Sequence, residues 1–179
     1  LRRELPYLTY VTPFTYGIGP EGEPVPLRDE GILAAAGQYG VLPWMHLSSL
    51  TEEGWFSSSR AEVLLKSSHR QEALLEQIKE ILKEKGYGGV DVDFEYLQPG
   101  LAGAYTAFIE RLRQELNKLG YTVQVALAPK VSRGQKGLLY ESHDYAALGR
   151  AANGALLMTY EWGYSAGPPM AVAPLDKVR

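Results

Sequence analysis

The sequence predicts an α/β fold built on a parallel sheet, a (β/α)8 TIM-barrel of which this chain supplies only part. Three observations carry that reading. Apolar, β-rich stretches alternate with amphipathic helical ones, the order that builds βαβ units. The connections into strands are brief, Gly86 alone and Gly120 alone, while those leaving strands are long, as in barrels that keep their chemistry on the loops after strand C-termini. Five strand candidates in 179 residues fall short of eight, for which about 250 residues are usual. A doubly wound sheet would share the alternation, but no glycine-rich phosphate turn follows a strand.

The first candidate strand is residues 7–11, extended toward Tyr16 and closed by Gly17 and Gly19. A turn-rich stretch with Pro24 and Pro26 leads to a short helix over 29–38. The second strand, 40–47, contains Pro43, which costs a central strand one hydrogen bond. A polar loop over 48–59 carries Trp55 and Phe56. Residues 70–85 place Leu74, Leu75, Ile78, Ile81 and Leu82 on one helical stripe, and Gly86 ends it where a left-handed residue is needed.

The third strand is 87–95. Tyr105, Phe108, Ile109, Leu112, Leu116 and Leu119 mark the next amphipathic helix, stopped by Gly120. The fourth strand, 121–128, is broken by Pro129; a basic loop, a short helix over 144–150 and a fifth strand over 155–160 follow. No repeat or domain boundary interrupts this order, so residues 1–179 read as one partial barrel with no second domain. Both termini consist of helix-like sequence and read as cut.

Composition removes several classes of function. With 18 basic and 21 acidic residues and no Lys/Arg run, the chain lacks the electrostatic footprint of a nucleic-acid binder. No apolar run is long enough to cross a membrane. The absence of cysteine removes disulfides, thiol catalysis and cysteine-ligated zinc.

Chemistry concentrates in the third strand, Gly88-Gly89-Val90-Asp91-Val92-Asp93-Phe94-Glu95. Side chains alternate along a strand, so Asp91, Asp93 and Glu95 share one face and Val90, Val92 and Phe94 the other. In a barrel the apolar set faces the helices and the acidic set the interior. Three carboxyl groups in so little polar volume cannot all ionise cheaply, so at least one proton is retained or shared. That is the condition for general-acid work by a glutamic acid near neutral pH. A solvated acidic face is the alternative for a half-exposed strand, but this strand is central in the βαβ order. An Asp-x-Asp pair also suits Mg²⁺ or Ca²⁺; no phosphate-binding motif accompanies it, and neither metal nor cofactor is expected.

Residues 88–95 resemble the acidic signature of glycoside hydrolase family 18, the chitinase-like fold. Leu157-Met158-Thr159-Tyr160-Glu161-Trp162-Gly163-Tyr164 resembles that family's Met-x-Tyr-Asp motif on the sixth barrel strand. Lys85-Gly86-Tyr87-Gly88-Gly89-Val90-Asp91, Ala126-Leu127-Ala128-Pro129-Lys130, Gly137-Leu138-Leu139-Tyr140-Glu141 and His143-Asp144-Tyr145 look like the branch of spore cortex-lytic N-acetylglucosaminidases. Two positions depart from the family pattern. Gly88 occupies the signature's first aspartate, and Glu161 stands where many chitinases carry aspartate.

The resemblance implies hydrolysis of β-1,4-linked N-acetylglucosamine polymers, peptidoglycan of the spore cortex before chitin, in the cell wall or spore coat and cortex outside the cell. It implies substrate-assisted retention, an exception to the two-carboxylate scheme. Glu95 would protonate the leaving oxygen, Asp93 would orient the substrate acetamide, Asp91 would share a proton with Asp93, and Tyr160 would donate to the acetamide oxygen. Trp162, Glu161, Met158, His46 and Trp55 are the substrate-binding candidates. For His46 a structural role competes, and for Trp55 solvent. Trp44 reads as core, His69 as a solvated helix residue, and His143 with Asp144 as a helix cap. Lys130 and Arg133 lie on a loop after a strand and either meet acidic groups of peptidoglycan or face solvent.

Against the family pattern the five strands correspond to strands two through six, leaving out the first strand and the last two, of which the final one carries a tryptophan under the cleaved sugar in this family. The chain alone is therefore expected either to close incompletely or to self-associate through its open barrel edges by borrowing strands from a neighbouring chain, and to hydrolyse weakly or not at all. A non-catalytic glycan-binding module on the same fold is the other reading, though a lectin has no need of Glu95.

Overall fold

A computed structural model describes residues 2–160 and 166–178. In chain order the strands are β1 Tyr10–Val11, β2 Gly17–Ile18, β3 Pro24–Val25, β4 Leu42–Pro43, β5 Met45–Ser48, β6 Gly89–Asp93, β7 Thr122–Leu127 and β8 Gly154–Leu157. The helices are α1 Glu30–Tyr39, α2 Ser58–Leu65, α3 Ser68–Lys85, α4 Ala102–Asn117, α5 Tyr145–Ala151 and α6 Leu175–Val178.

Strands β5, β6, β7 and β8 form a parallel sheet in chain order. A fifth parallel position flanks β5: β1 pairs with β4, and Tyr16 bridges Leu47. β2 also turns back on β3 as a small antiparallel hairpin. Helices α3 and α4 supply the crossovers from β5 to β6 and from β6 to β7, as parallel neighbours require.

Local chemistry explains where the elements start and stop. Ser57 and Ser67 cap α2 and α3 by accepting from the N–H of Arg60 and Arg70 at 3.2 and 3.3 Å. Gly86 closes α3 at φ +71°. Leu74, Leu75, Ile78 and Leu82 of α3 and Tyr105, Phe108, Ile109, Leu112 and Leu116 of α4 are buried in one core with Val90, Val92 and Phe94. The Phe94 ring stacks on Tyr105 and Phe108 at centroid distances of 5.7 and 5.8 Å. At Gly89 a Cβ would come within 2.3 Å of the Thr122 carbonyl oxygen, so only glycine lets β6 lie this close to β7.

Several expectations need correction. Residues 5–7 form a 3-10 helix, and the long first strand reduces to β1 and β2. The second strand is interrupted at Trp44. There Leu42 and Trp44 donate to Thr9 and Val11 at 3.1 and 2.8 Å, while Pro43 offers only its carbonyl, accepting from Gly88 at 2.8 Å. Trp44 is half-buried against Tyr10, with ring centroids 5.2 Å apart, and is not core. The polar stretch before residue 60 begins α2, whose signal was the Ser57 cap. Leu119 lies past the end of α4 and is exposed.

Asp29 precedes α1 but makes no cap. Its buried carboxylate accepts from the Tyr16 hydroxyl at 2.6 Å, from Lys85 Nζ at 2.6 Å, and from the Tyr87 hydroxyl. Burial alone would raise its pKa, but those three donors together hold the carboxyl below the usual range.

Candidate active site

The parallel register builds the site in layers. His46 of β5 lies opposite Asp91 of β6, which lies opposite Gln124 of β7; one layer higher, Ser48 lies opposite Asp93. Thr15 ties the β5 members together: its hydroxyl meets His46 Nδ1 at 2.6 Å and Ser48 Oγ at 3.0 Å. Asp91, Asp93, His46 and Ser48 are all buried. Glu95, past the end of β6, is half-buried where the layers meet a cleft of about 530 Å³. Asp93, Glu95, Met158, Tyr160, Tyr140 and Phe56 line that cleft.

Electrostatics follow from burial. Asp93 is pushed up to about 7, first by desolvation and then by the charges of Glu95 and Asp91. Asp91 is pushed up to about 6 by desolvation, with Gln124 opposing. One oxygen of each carboxyl, Oδ1, is buried without a hydrogen-bond partner. A buried carboxylate oxygen without a donor is costly, so protons remain on this pair at pH values where free aspartate is ionised. Desolvation lowers His46 to about 4, leaving it neutral. Among the described residues no group of three or more His, Asp and Glu side chains is placed to hold a metal ion, and no helix is long and apolar enough to cross a membrane.

The other sequence candidates divide by position. Met158 and Tyr160 line the same cleft as Asp93 and Glu95. His46 lies beneath, with Nε2 at 3.7 Å from Asp93 Oδ2. Trp55 is 75% exposed on its loop, and the neighbouring Phe56 lines the cleft, its ring 5.6 Å from that of Tyr96. Glu161 and Trp162 lie outside the described residues. His69 is exposed on α3. Lys130 and Arg133 line a separate hollow of about 480 Å³ with Glu141, Asp144 and Tyr145.

The cap assigned to His143 with Asp144 belongs to Asp144 alone, whose Oδ1 accepts from the Ala147 N–H at 3.0 Å. His143 is a correction. It is 1% exposed and lies between the ends of β6 and β7, bonded to the Phe94 carbonyl and the Ala128 N–H. Sequence reasoning also passed over Thr15, which has no periodic or spacing signal because its partners are more than thirty residues away.

Comparison with known proteins bears on this site. The family model "Glycosyl hydrolases family 18" matches residues 53–176. The chain is 35% identical over 178 residues to the Cortical fragment-lytic enzyme of Bacillus subtilis, covering 99% of the chain and 41% of that protein. The crystal structure of the Bacillus megaterium spore cortex-lytic enzyme SleL superposes with a TM-score of 0.88 at 36% identity, over 99% of this chain and 40% of that one. For the Bacillus cereus SleL the values are 0.90 and 31%, over 99% and 41%. The chain thus spans about two fifths of the length of these relatives.

Proposed function

The chain belongs to glycosyl hydrolases family 18, and from that premise we propose that it carries the acid-bearing part of a barrel that cleaves β-1,4-linked N-acetylglucosamine polymers by substrate-assisted retention. Its fold is the family's (β/α)8 barrel, here an incomplete arc of parallel strands. The observation that carries the reading is the single acidic face of β6. It runs from buried Asp91 through Asp93 to Glu95 at the cleft, with Tyr160 on the same cleft wall.

The steps balance without an enzyme nucleophile. Glu95 gives its proton to the glycosidic oxygen as the bond from that oxygen to the anomeric carbon breaks. The substrate's own acetamide carbonyl oxygen bonds to that carbon from the other face, leaving a cationic oxazolinium ring. Asp93 accepts the acetamide N–H and faces the new positive charge; the proton it holds at rest passes toward Asp91, whose raised pKa makes it a competent acceptor. Tyr160 donates its hydroxyl to the acetamide oxygen and so holds that oxygen in line with the anomeric carbon. Glu95, now ionised, takes a proton from the water that opens the ring.

Spore-cortex peptidoglycan is the proposed substrate, at the wall or cortex, because the relatives of 35% and 36% identity carry cortex-lytic names; chitin is the alternative. Substituting Glu95→Gln in the full-length protein should lower turnover by about 10²–10⁴-fold while leaving glycan binding in place. Cortex peptidoglycan digested beside chitin oligomers separates the two substrates. Unchanged turnover in E95Q would remove the assignment.

A further inference from the structure

The end of β6 that carries Glu95 is not joined to β7 by an ordinary ladder bond. Lower in the pair the Gly88 carbonyl accepts from the Thr122 N–H at 3.4 Å. Two-residue steps along both strands from that bond lead to the Phe94 carbonyl and the Ala128 N–H, the next partners that a parallel ladder would join at this end. They are joined instead through an imidazole. Ala128 N–H donates to His143 Nδ1 at 3.0 Å, and His143 Nε2 lies 3.0 Å from the Phe94 carbonyl oxygen. A backbone N–H only donates, so Nδ1 is the acceptor and Nε2 carries the proton given to Phe94. Burial favours this neutral ring.

The neighbours of His143 grip the same two strand exits. Ser142 Oγ donates to the Gln98 carbonyl at 2.8 Å, on the segment leaving β6. The Tyr145 hydroxyl donates to the Ala128 carbonyl at 2.5 Å and accepts from the Lys130 N–H at 2.9 Å, on the segment leaving β7. Three of four consecutive positions, Ser142, His143 and Tyr145, thus clasp both exits, and the ring between them widens the gap by its own breadth. Glu95 follows Phe94 directly, and Ala128 and Pro129 line the cleft beside it.

We propose that His143 is a positioning residue for Glu95, its neutral imidazole standing in for the last ladder bond between β6 and β7 and fixing the width of the gap at which the Glu95 carboxyl is presented. The proposal rests on the reading of Glu95 as the acid. A ring that bridges two backbone groups can be replaced by an amide, which also carries one donor and one acceptor, but not by a hydrocarbon ring of similar size. Glutamine reaches both groups; asparagine, one methylene shorter, reaches one.

The test is steady-state hydrolysis of cortex peptidoglycan fragments by the full-length protein and its H143F, H143Q, H143N and E95Q variants, with Tm measured for each. H143F should lose about 10²-fold in kcat with KM within about threefold of the parent, the size of effect expected when a reacting group is displaced by about 1 Å. H143Q should recover most of that loss, and H143N should fall between them. If H143F does not fold, the order of H143Q over H143N carries the test alone. A folded H143F with the parent's kcat, or H143N equal to H143Q, overturns the proposal while an inactive E95Q leaves the acid assignment standing. An active E95Q removes the acid assignment itself, and the proposal with it.

Discussion

Asp93 Oδ2 lies 3.7 Å from His46 Nε2, and the two meet as neutral groups, not as an ion pair. Burial pushes the carboxyl up to about 7 and the imidazole down to about 4, so between those values Asp93 keeps its proton and His46 takes none. The proximity of an acid and a base would otherwise suggest a salt bridge, but both side chains are buried and Asp93 Oδ1 has no donor to support a charge.

The two groups therefore pull stability in opposite directions across that interval, for separate reasons. Asp93 is raised from 3.8, so the folded chain holds a proton that the unfolded chain has released; this contribution is fully present below about 3.8 and is lost as pH rises through about 7. His46 is lowered from 6.5, so its contribution is present above about 6.5 and is lost as pH falls through about 4. Thermal unfolding of D93N between pH 4 and 8 should show a shallower alkaline decline than the parent. Asp91 has the same sign, raised to about 6, so the slope shrinks without vanishing. Parallel Tm profiles for parent and D93N would contradict this account.

Tyr160 is 41% exposed on the cleft wall that also holds Glu95 and Asp93. A hydroxyl that holds the acetamide oxygen in line with the anomeric carbon acts on the approach to the transition state more than on sugar binding. Tyr160→Phe in the full-length protein should lower kcat by about 10²-fold with little change in KM, the loss expected when a reacting group is misplaced by about 1 Å. A rise in KM at constant kcat would mean that Tyr160 only binds the sugar.

The acidic face of β6 was legible in the sequence because strand alternation is a local rule, and Asp91, Asp93 and Val90, Val92 separate as that rule requires. The helical stripes of α3 and α4 were legible for the same reason. What escaped was nonlocal. Asp29 reads as the first residue of a short helix, yet its carboxylate serves Tyr16, Lys85 and Tyr87. His143 beside Asp144 reads as part of a cap, yet its partners are Phe94 and Ala128. Pro43 argued against a strand, but only because the sequence does not tell which side of a strand a missing N–H will face.

The Asp29 network carries a stability prediction of its own. Tyr16 and Tyr87 are each 2% exposed and share one carboxylate, and Lys85 Nζ reaches it while lying 5.4 Å from the centre of the Tyr16 ring. Asp29→Ala removes the common acceptor, leaving two buried hydroxyls and an ammonium without it, a change of the kind that costs about 3–5 kcal/mol. Asp29→Asn keeps one acceptor oxygen and should cost less. Urea unfolding of both variants measures the difference, and equal losses would show that shape rather than hydrogen bonding holds this corner.

The last prediction concerns β8, which ends the parallel sheet among the described residues. Leu156 and Leu157 point to opposite faces and are 40% and 48% exposed, so apolar side chains flank an edge whose outer N–H and C=O groups meet no further strand there. An apolar edge of this kind is a template for pairing with another chain. Residues 1–179 studied alone should therefore self-associate as concentration rises, with the mass read by light scattering after size exclusion. Leu157→Lys places a charge beside that edge and should return the chain to monomer without unfolding it, because Leu157 is already half exposed. If the parent chain stays monomeric at concentrations of about 100 μM, well above the micromolar range of ordinary specific contacts, the edge does not drive association.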